Sequence, residues 1–207
     1  MRIIAGRFRR RKLMTNPGQT TRPITDRVKE CLFERMEARC VGSRIADIFA
    51  GTGTIGLEAM SRGGTSAVFI EKDRKAVELL RSNIEMLGCQ DESLIWPADV
   101  WRCSFRPKGR RAQQFSPYDL MFCDPPYKMI PSLVADSPLW LALRRLARGD
   151  VSTPNATLIL RAPERARFEL PDDWEPEWDL SLSNMVIFVC RKSARSEASP
   201  ASDDEEE

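Results

Sequence analysis

The strongest constraint on the fold is the stretch DIFAGTGTIG, Asp47 to Gly56. In it Gly51, Gly53 and Gly56 form a complete G-x-G-x-x-G between an apolar run and a helical one. Glycines at that spacing let a chain turn from a strand into a helix and bring its backbone close to a nucleotide-like cofactor. The surrounding chain repeats the pattern. Arg44 to Phe49, Ala67 to Ile70, Leu94 to Trp96, Leu120 to Cys123 and Ala156 to Leu160 read as short buried strands. Thr54 to Arg62, Asp73 to Leu87 and Pro131 to Arg148 read as helices, the first two stopped by Gly63-Gly64 and Gly88. This alternation predicts an α/β fold: a doubly wound, mostly parallel Rossmann-like sheet with helices on both faces. Leu180 to Leu182 and Met185 to Val189, around Ser183-Asn184, predict two closing antiparallel strands.

A basic extension precedes this body. From Met1 to Glu30, nine Lys or Arg stand against two acids. RIIAGRFRRRKL alternates about Gly6 as a hairpin does. Arg7, Arg9, Arg10, Arg11 and Lys12 are candidate RNA contacts, because phosphates supply most nucleic-acid affinity. A solvated basic surface is the plainer reading of the same charges. Thr15 to Thr21 is turn-rich. Thr25 is an expected N-cap for a helix to about Arg39, with Val28, Leu32, Phe33 and Met36 on one face. The expected organisation is a basic hairpin and helix over 1–42, a sheet domain over 43–192 and a disordered acidic tail over 193–207.

Composition narrows the chemistry. A chain of 207 residues is long enough for one sizeable core. No apolar run reaches membrane-spanning length and no signal peptide is visible, so a cytoplasmic protein without membrane contact is expected. Six cysteines are scattered without a C-x-x-C pair and read as reduced thiols, not a disulfide set or a zinc site. Histidine is absent. The reaction therefore proceeds without the commonest general base, and no metal is expected.

The glycine turn suits either a nicotinamide dinucleotide or S-adenosylmethionine. Glu71, 20 residues after Gly51, supplies the ribose carboxylate that both require. Asp47 discriminates between them. In the stretch Asp47-x-Phe49-Ala50-Gly51-x-Gly53 it sets a carboxylate where a dinucleotide fold brings its pyrophosphate, and like charges repel. S-adenosylmethionine carries a sulfonium and an ammonium instead, and an acid favours both. Asp99 in PADVW stands just past the third strand, at the mouth of a wound sheet. It is placed to accept from an adenine amino group or to cap a helix.

FCDPPYK, Phe122 to Lys128, follows the fourth strand. Asp124, Pro125, Pro126 and Tyr127 make a stiff extended turn whose prolines have no N–H to offer. Such a turn suits methylation of an exocyclic amino group. Asp124 and the Pro125 carbonyl each accept one N–H, and Tyr127 stacks on the base. Charge developing on nitrogen then meets a carboxylate and a carbonyl dipole. A stacked base has to leave its helix to reach this turn.

DIFAGTGTIGLEAMSRG, FIEKD and FCDPPY, with TRPITDRVKE upstream and R-I-I-A-G near the start, resemble the bacterial RsmD-type enzymes. Those are 16S ribosomal RNA guanine-N2 methyltransferases that use S-adenosylmethionine. The resemblance runs in order from Met1 to Cys190. It implies a cofactor role for Thr21, Arg22, Pro23 and Thr25, folded over the donor's methionine end, beside Asp47, Gly51, Gly53, Glu71 and Asp99. It also implies catalysis at Asp124 to Tyr127, with ribosomal RNA or the small subunit as partner of a monomer. The chain departs from the family's pattern at Arg9-Arg10-Arg11 and at Leu182-Ser183-Asn184, both outside that chemistry. Two other functions share these motifs: methylation of DNA adenine or cytosine, and a catalytically silent RNA-binding assembly factor. The first generally requires a sizeable target-reading insertion, and the second has no use for Asp-Pro-Pro-Tyr.

Overall fold

The computed structural model describes residues 1–15, 25–182 and 184–194. Strands β1 (Arg44–Ile48), β2 (Ser66–Glu71), β3 (Ser93–Pro97), β4 (Tyr118–Cys123), β5 (Ser152–Pro163), β6 (Trp174–Leu182) and β7 (Met185–Lys192) form one sheet, ordered β3-β2-β1-β4-β5-β7-β6. The first five are parallel, and β7 inserts antiparallel between β5 and β6. The strand order reverses between β1 and β4, the switch point at which wound sheets bind ligands. The two antiparallel closing strands are as expected, although both are longer than the sequence pattern indicates.

The period-two alternation of β1 sorts its side chains. Ile45 joins Phe69 and Leu120 under helices α1 (Asp26–Cys40), α2 (Thr54–Ser61) and α3 (Arg74–Leu87), against Phe33, Leu57, Leu80 and Ile84. Ala46 and Ile48 face the other way, with Val68, Ile70 and Met121. They pack on α4 (Ala112–Phe115), through Phe115, and on α5 (Pro138–Leu146), through Leu139, Leu143 and Leu146. Each such Leu, Ile or Phe contributes about 1.5–3 kcal/mol when fully buried. By the same alternation Asp47 lies on the α1–α3 side.

Three caps follow the sequence directly. Thr25 Oγ1 accepts from Val28 N at 3.3 Å, Asp73 Oδ1 from Ala76 N at 2.8 Å, and Gly88 ends α3 in the left-handed region. The helix expected over Pro131 to Arg148 is instead a 3-10 turn over Tyr127–Ser132 followed by the shorter α5. The cause is local. Pro138 takes the first helical position behind the Ser137 cap, and Asp136 has φ +62°, which no right-handed helix accommodates.

The N-terminal arm forms the expected hairpin only in its outer part. Arg2 bridges Lys12 antiparallel, and Ile3 N, Arg10 N and Leu13 N donate across it to Arg11 O, Ile3 O and Met1 O, each at 3.0 Å. Ile4 N and Ala5 N donate to Glu58 at 2.8 and 3.1 Å and not across to a second strand. Gly6 (φ +79°) and Arg10 (φ +67°) fold the intervening residues into turns. Glu58 also accepts from Arg62 Nε at 3.0 Å and pairs with Lys29 Nζ at 3.4 Å, and both the Lys29 and Glu58 side chains are fully buried. Higher up, Asn83 Nδ2 donates to Met14 O and Thr52 O, each at 3.0 Å, tying the arm to the glycine turn.

Candidate active site

At the carboxyl ends of β1, β2 and β4 the expected residues converge. Ala50 N donates to Ile70 O and Asp124 N to Ile48 O, so both turns hang from β1 and its neighbours. Glu71 Oε2 accepts from Gly51 N at 2.8 Å, while its Oε1 accepts from Lys72 N and Asp73 N. The acid expected to take a ribose braces the glycine turn. Phe49 has φ +64° and sets its ring edge-on to Trp101, with centroids 5.9 Å apart.

The three glycines have different duties. A Cβ on Gly53 would stand 2.5 Å from Leu80 Cδ1, and one on Gly56 2.6 Å from Phe69 Cε1 and 2.8 Å from Asp47 Oδ2. Those two let α2 pack closely. Gly51 has φ +55° and nothing within 4 Å of its missing Cβ, so it opens onto free space beside the strand ends.

Asp47 is 1% exposed. Its Oδ2 accepts from Gly56 N at 2.9 Å, and its Oδ1 is buried without a hydrogen bond. Burial pushes its carboxyl well above the usual carboxylate range, and the nearby charges of Asp124 and Glu71 push the same way. An anionic pyrophosphate would worsen this crowding of acids; a cationic ligand relieves it. The donor set therefore fits S-adenosylmethionine, with Asp47, Gly51 and Glu71 as the residues that would hold it.

Asp99 lies at the same edge, capping the 3-10 turn Val100–Arg102 through Trp101 N at 3.1 Å and pairing with Lys72 Nζ at 3.3 Å. The Trp101 N–H and then Lys72 hold its pKa low. The capping alternative is thus realised, on one of its two oxygens. Thr25 caps α1 and bonds nothing in the glycine turn among the described residues. Thr21, Arg22 and Pro23 lie outside the described residues.

In the Asp-Pro-Pro-Tyr turn the Pro126 carbonyl accepts from Met129 N at 2.8 Å. Among the described residues the Pro125 carbonyl accepts no hydrogen bond, nor does Asp124 Oδ2. Tyr127 is half-buried. Sequence reasoning missed the residue that organises this turn. Arg161 on β5 donates from Nε to Asp124 Oδ1 at 2.6 Å, and its guanidinium lies 5.4 Å from the centroid of the Tyr127 ring. Its side chain is 7% exposed. Burial raises the Asp124 pKa, and Arg161 opposes that rise without cancelling it. The available signal was a lone arginine within the apolar run ATLILRA.

Of the basic candidates, Arg7 pairs with Glu92, Nη1 to Oε1 at 3.0 Å. Arg9, Arg10, Arg11 and Lys12 are exposed and make no ion pair among the described residues. No helix of the described residues is long and apolar enough to cross a membrane.

A sheet of this order, with a glycine turn after β1 and Asp-Pro-Pro-Tyr after β4, defines an S-adenosylmethionine-dependent methyltransferase of the Rossmann-like class. The family model described as Conserved hypothetical protein 95 matches residues 1–175, and the chain belongs to that family, the RsmD family. Ribosomal RNA small subunit methyltransferase D of Haemophilus influenzae is 31% identical over 174 residues, 84% of either chain. Its Escherichia coli namesake is 34% identical over 128 residues, 62% of this chain and 61% of that one. Among solved structures, the Escherichia coli protein yhhF has a TM-score of 0.76 at 27% identity, over 94% of this chain and 98% of that one. An RNA methyltransferase from Salinibacter ruber, in complex with S-adenosyl-L-homocysteine, shares the fold, with a TM-score of 0.58 at 15% identity, over 89% of this chain and all of that one.

Proposed function

We propose that the protein methylates the exocyclic N2 of a guanine in small-subunit (16S) ribosomal RNA. The observation that carries this reading is the pair of acceptors left open on the Asp-Pro-Pro-Tyr turn, Asp124 Oδ2 and the Pro125 carbonyl, beside the glycine turn. S-adenosylmethionine, when bound, supplies an electrophilic methyl group and a neutral thioether leaving group. Asp124 and Pro125 each accept one N–H of the amine, which turns the nitrogen lone pair out of conjugation with the ring. Tyr127 stacks on the base and fixes its plane, while Arg161 aims the carboxylate and opposes the rise of its pKa on burial. The positive charge that develops on nitrogen faces that carboxylate and carbonyl, so preorganised electrostatics replaces a strong base. The extra proton then passes from the acidic ammonium to water. Histidine is not needed.

Support for the substrate comes from the relatives named as small-subunit ribosomal RNA methyltransferases; no relative favours the DNA or silent readings. The same reading gives Arg7, Arg9, Arg10, Arg11 and Lys12 to RNA, Thr21 to Pro23, Thr25, Phe49 and Asp99 to the cofactor cleft, and Gly53 to the packing that shapes it. It gives the 1–42, 43–192 and 193–207 divisions to arm, catalytic domain and tail, save that Ser193 is buried and bonds Asp173 and Glu175 in the body and that 195–207 lie outside the described residues. It describes a cytoplasmic monomer. The test is methyl transfer to small subunits lacking the modification, by wild type and by Asp124→Asn. The expected result is transfer by wild type and a loss of about 100- to 1000-fold in the variant, with cofactor affinity little changed. Equal activity in both would remove Asp124 from the mechanism.

A further inference from the structure

The basic stretch between Asp99 and Tyr118 takes no part in the chemistry above. Arg106, Lys108, Arg110 and Arg111 are all exposed. Arg106 is compensated by Asp150 at 2.9 Å, but Lys108 and Arg110 make no ion pair among the described residues. The loop is fixed in place. Arg111 donates to Asp91 O, Gln114 Nε2 donates to the same oxygen at 2.8 Å, and Ser66 Oγ donates to Gln114 O at 2.7 Å.

The arm is fixed at the same turn. Arg7 grips Glu92, the residue next to Asp91, and Arg7 N and Phe8 N are held by Ser61 at 2.8 and 2.9 Å. Consecutive Cα atoms are about 3.8 Å apart, so the two basic segments, roughly 100 residues apart in sequence, anchor side by side on the Gln90–Glu92 turn. That turn leads into Ser93, the amino end of β3, whereas the glycine turn and Asp124 lie at the carboxyl ends. Five residues at about 3.3 Å each put the two ends roughly 16 Å apart. The arm bridges this distance, because it leaves Ser61 at Phe8 and at Met14 reaches Asn83, whose amide also donates to Thr52 O in the glycine turn.

We propose that Lys108 and Arg110 join Arg9 and Arg10 in one phosphate-gripping surface astride the Gln90–Glu92 turn. The RNA strand enters there, at the sheet end opposite the reaction, and follows the arm to the cleft. The proposal rests on the ribosomal RNA reading and adds a contact surface to it. The partner is RNA backbone because the groups offered are exposed cations, and phosphate contacts need no more.

The test uses the full-length Lys108→Gln/Arg110→Gln protein and small-subunit ribosomal RNA lacking the modification, with affinity measured across a salt series. The log–log salt slope is expected to fall by about 1 for each side chain removed, and the KM for RNA to rise on the order of 10-fold near 0.15 M salt. Cofactor affinity is expected to stay as in wild type. A slope and KM equal to wild type would overturn the surface while leaving the proposed function standing, provided both proteins methylate the RNA. A wild-type protein that transfers no methyl group to any small-subunit RNA would overturn the function reading itself, and with it RNA as the partner.

Discussion

Arg161 Nε lies 2.6 Å from Asp124 Oδ1, and the same guanidinium faces the Tyr127 ring at 5.4 Å. One buried cation from β5 thus fixes both the acceptor and the stacking platform offered by the turn after β4. Burial drives the Asp124 pKa up and Arg161 is the charge opposing it. The carboxylate accepts N–H bonds, so activity falls as pH drops through the Asp124 pKa, which stands above the ordinary carboxylate value of about 3.9. In Arg161→Gln the opposing charge is gone. The acid limb of the kcat profile should move to higher pH, and stability should drop by about 3–5 kcal/mol, the cost of breaking a buried pair. Arg161→Lys should restore part of the pH shift but less of the rate, because an ammonium lacks the planar fork. An unchanged acid limb in Arg161→Gln would dissociate the arginine from Asp124 ionisation.

Asp47 makes a different pH prediction. Burial raises its folded-state pKa above the unfolded value, so the folded state binds the proton more tightly. The stability this gives is complete below the unfolded pKa and disappears as pH rises through the folded pKa. At neutral pH the ligand-free protein carries a poorly placed acid. Asp47→Asn keeps an oxygen for Gly56 N and removes the titration. The ligand-free variant should melt higher than wild type at neutral pH, by about 2–4 °C per kcal/mol relieved, with a flatter pH dependence. Its cofactor affinity should fall at least 10-fold, about 1.4 kcal/mol. Parallel stability–pH curves for the two proteins would contradict this assignment.

The glycines separate packing from ligand contact. Gly53→Ala forces a Cβ to within 2.5 Å of Leu80 Cδ1 at φ +81°, and Gly56→Ala meets Phe69 and Asp47. Both should lower the melting temperature. Gly51→Ala meets no atom and carries only the strain of φ +55°, about 1–2 kcal/mol. It should fold and lose cofactor affinity. Calorimetry and cofactor titration on the three variants distinguish the roles, and equal destabilisation with intact affinity in all three would contradict them.

Glu58 anchors the arm through Ile4 N, Ala5 N, Lys29 and Arg62. Glu58→Ala leaves Lys29 buried without its ion-pair partner, and should cost about 3–5 kcal/mol. Amide exchange at Ile4 and Ala5 should accelerate before global unfolding. Exchange at the wild-type rate would mean that Glu58 does not hold this part of the arm.

Much of the fold was legible in the sequence because its signals are local. Strand runs, the Thr25 and Asp73 positions and the Gly88 stop depend on neighbours a few residues away. The glycine turn and Asp-Pro-Pro-Tyr were legible as motifs, and Asp47, Gly51, Glu71 and Asp124 do converge. Arg161 was not, because nothing in ATLILRA tells which carboxylate, 37 residues upstream, meets the arginine. The arm was legible in part: its alternation suits the pairing of Met1, Arg2 and Ile3 with Arg11 to Leu13, but not the capture of the Ile4 and Ala5 N–H groups by Glu58, a partner more than 50 residues distant. Nor does sequence spacing show that the loop at Arg110 and the arm at Arg9 share one turn.

Transfer to a guanine N2 of small-subunit ribosomal RNA is directly measurable. The most direct measurement incubates the protein with labelled methyl donor and small subunits lacking the modification, alongside naked 16S RNA and duplex DNA, then digests to nucleosides and identifies the labelled one. N2-methylguanosine from the subunit or its RNA is the predicted result. Label in N6-methyladenine or N4-methylcytosine from the DNA, or RNA bound without any label transferred, would contradict it.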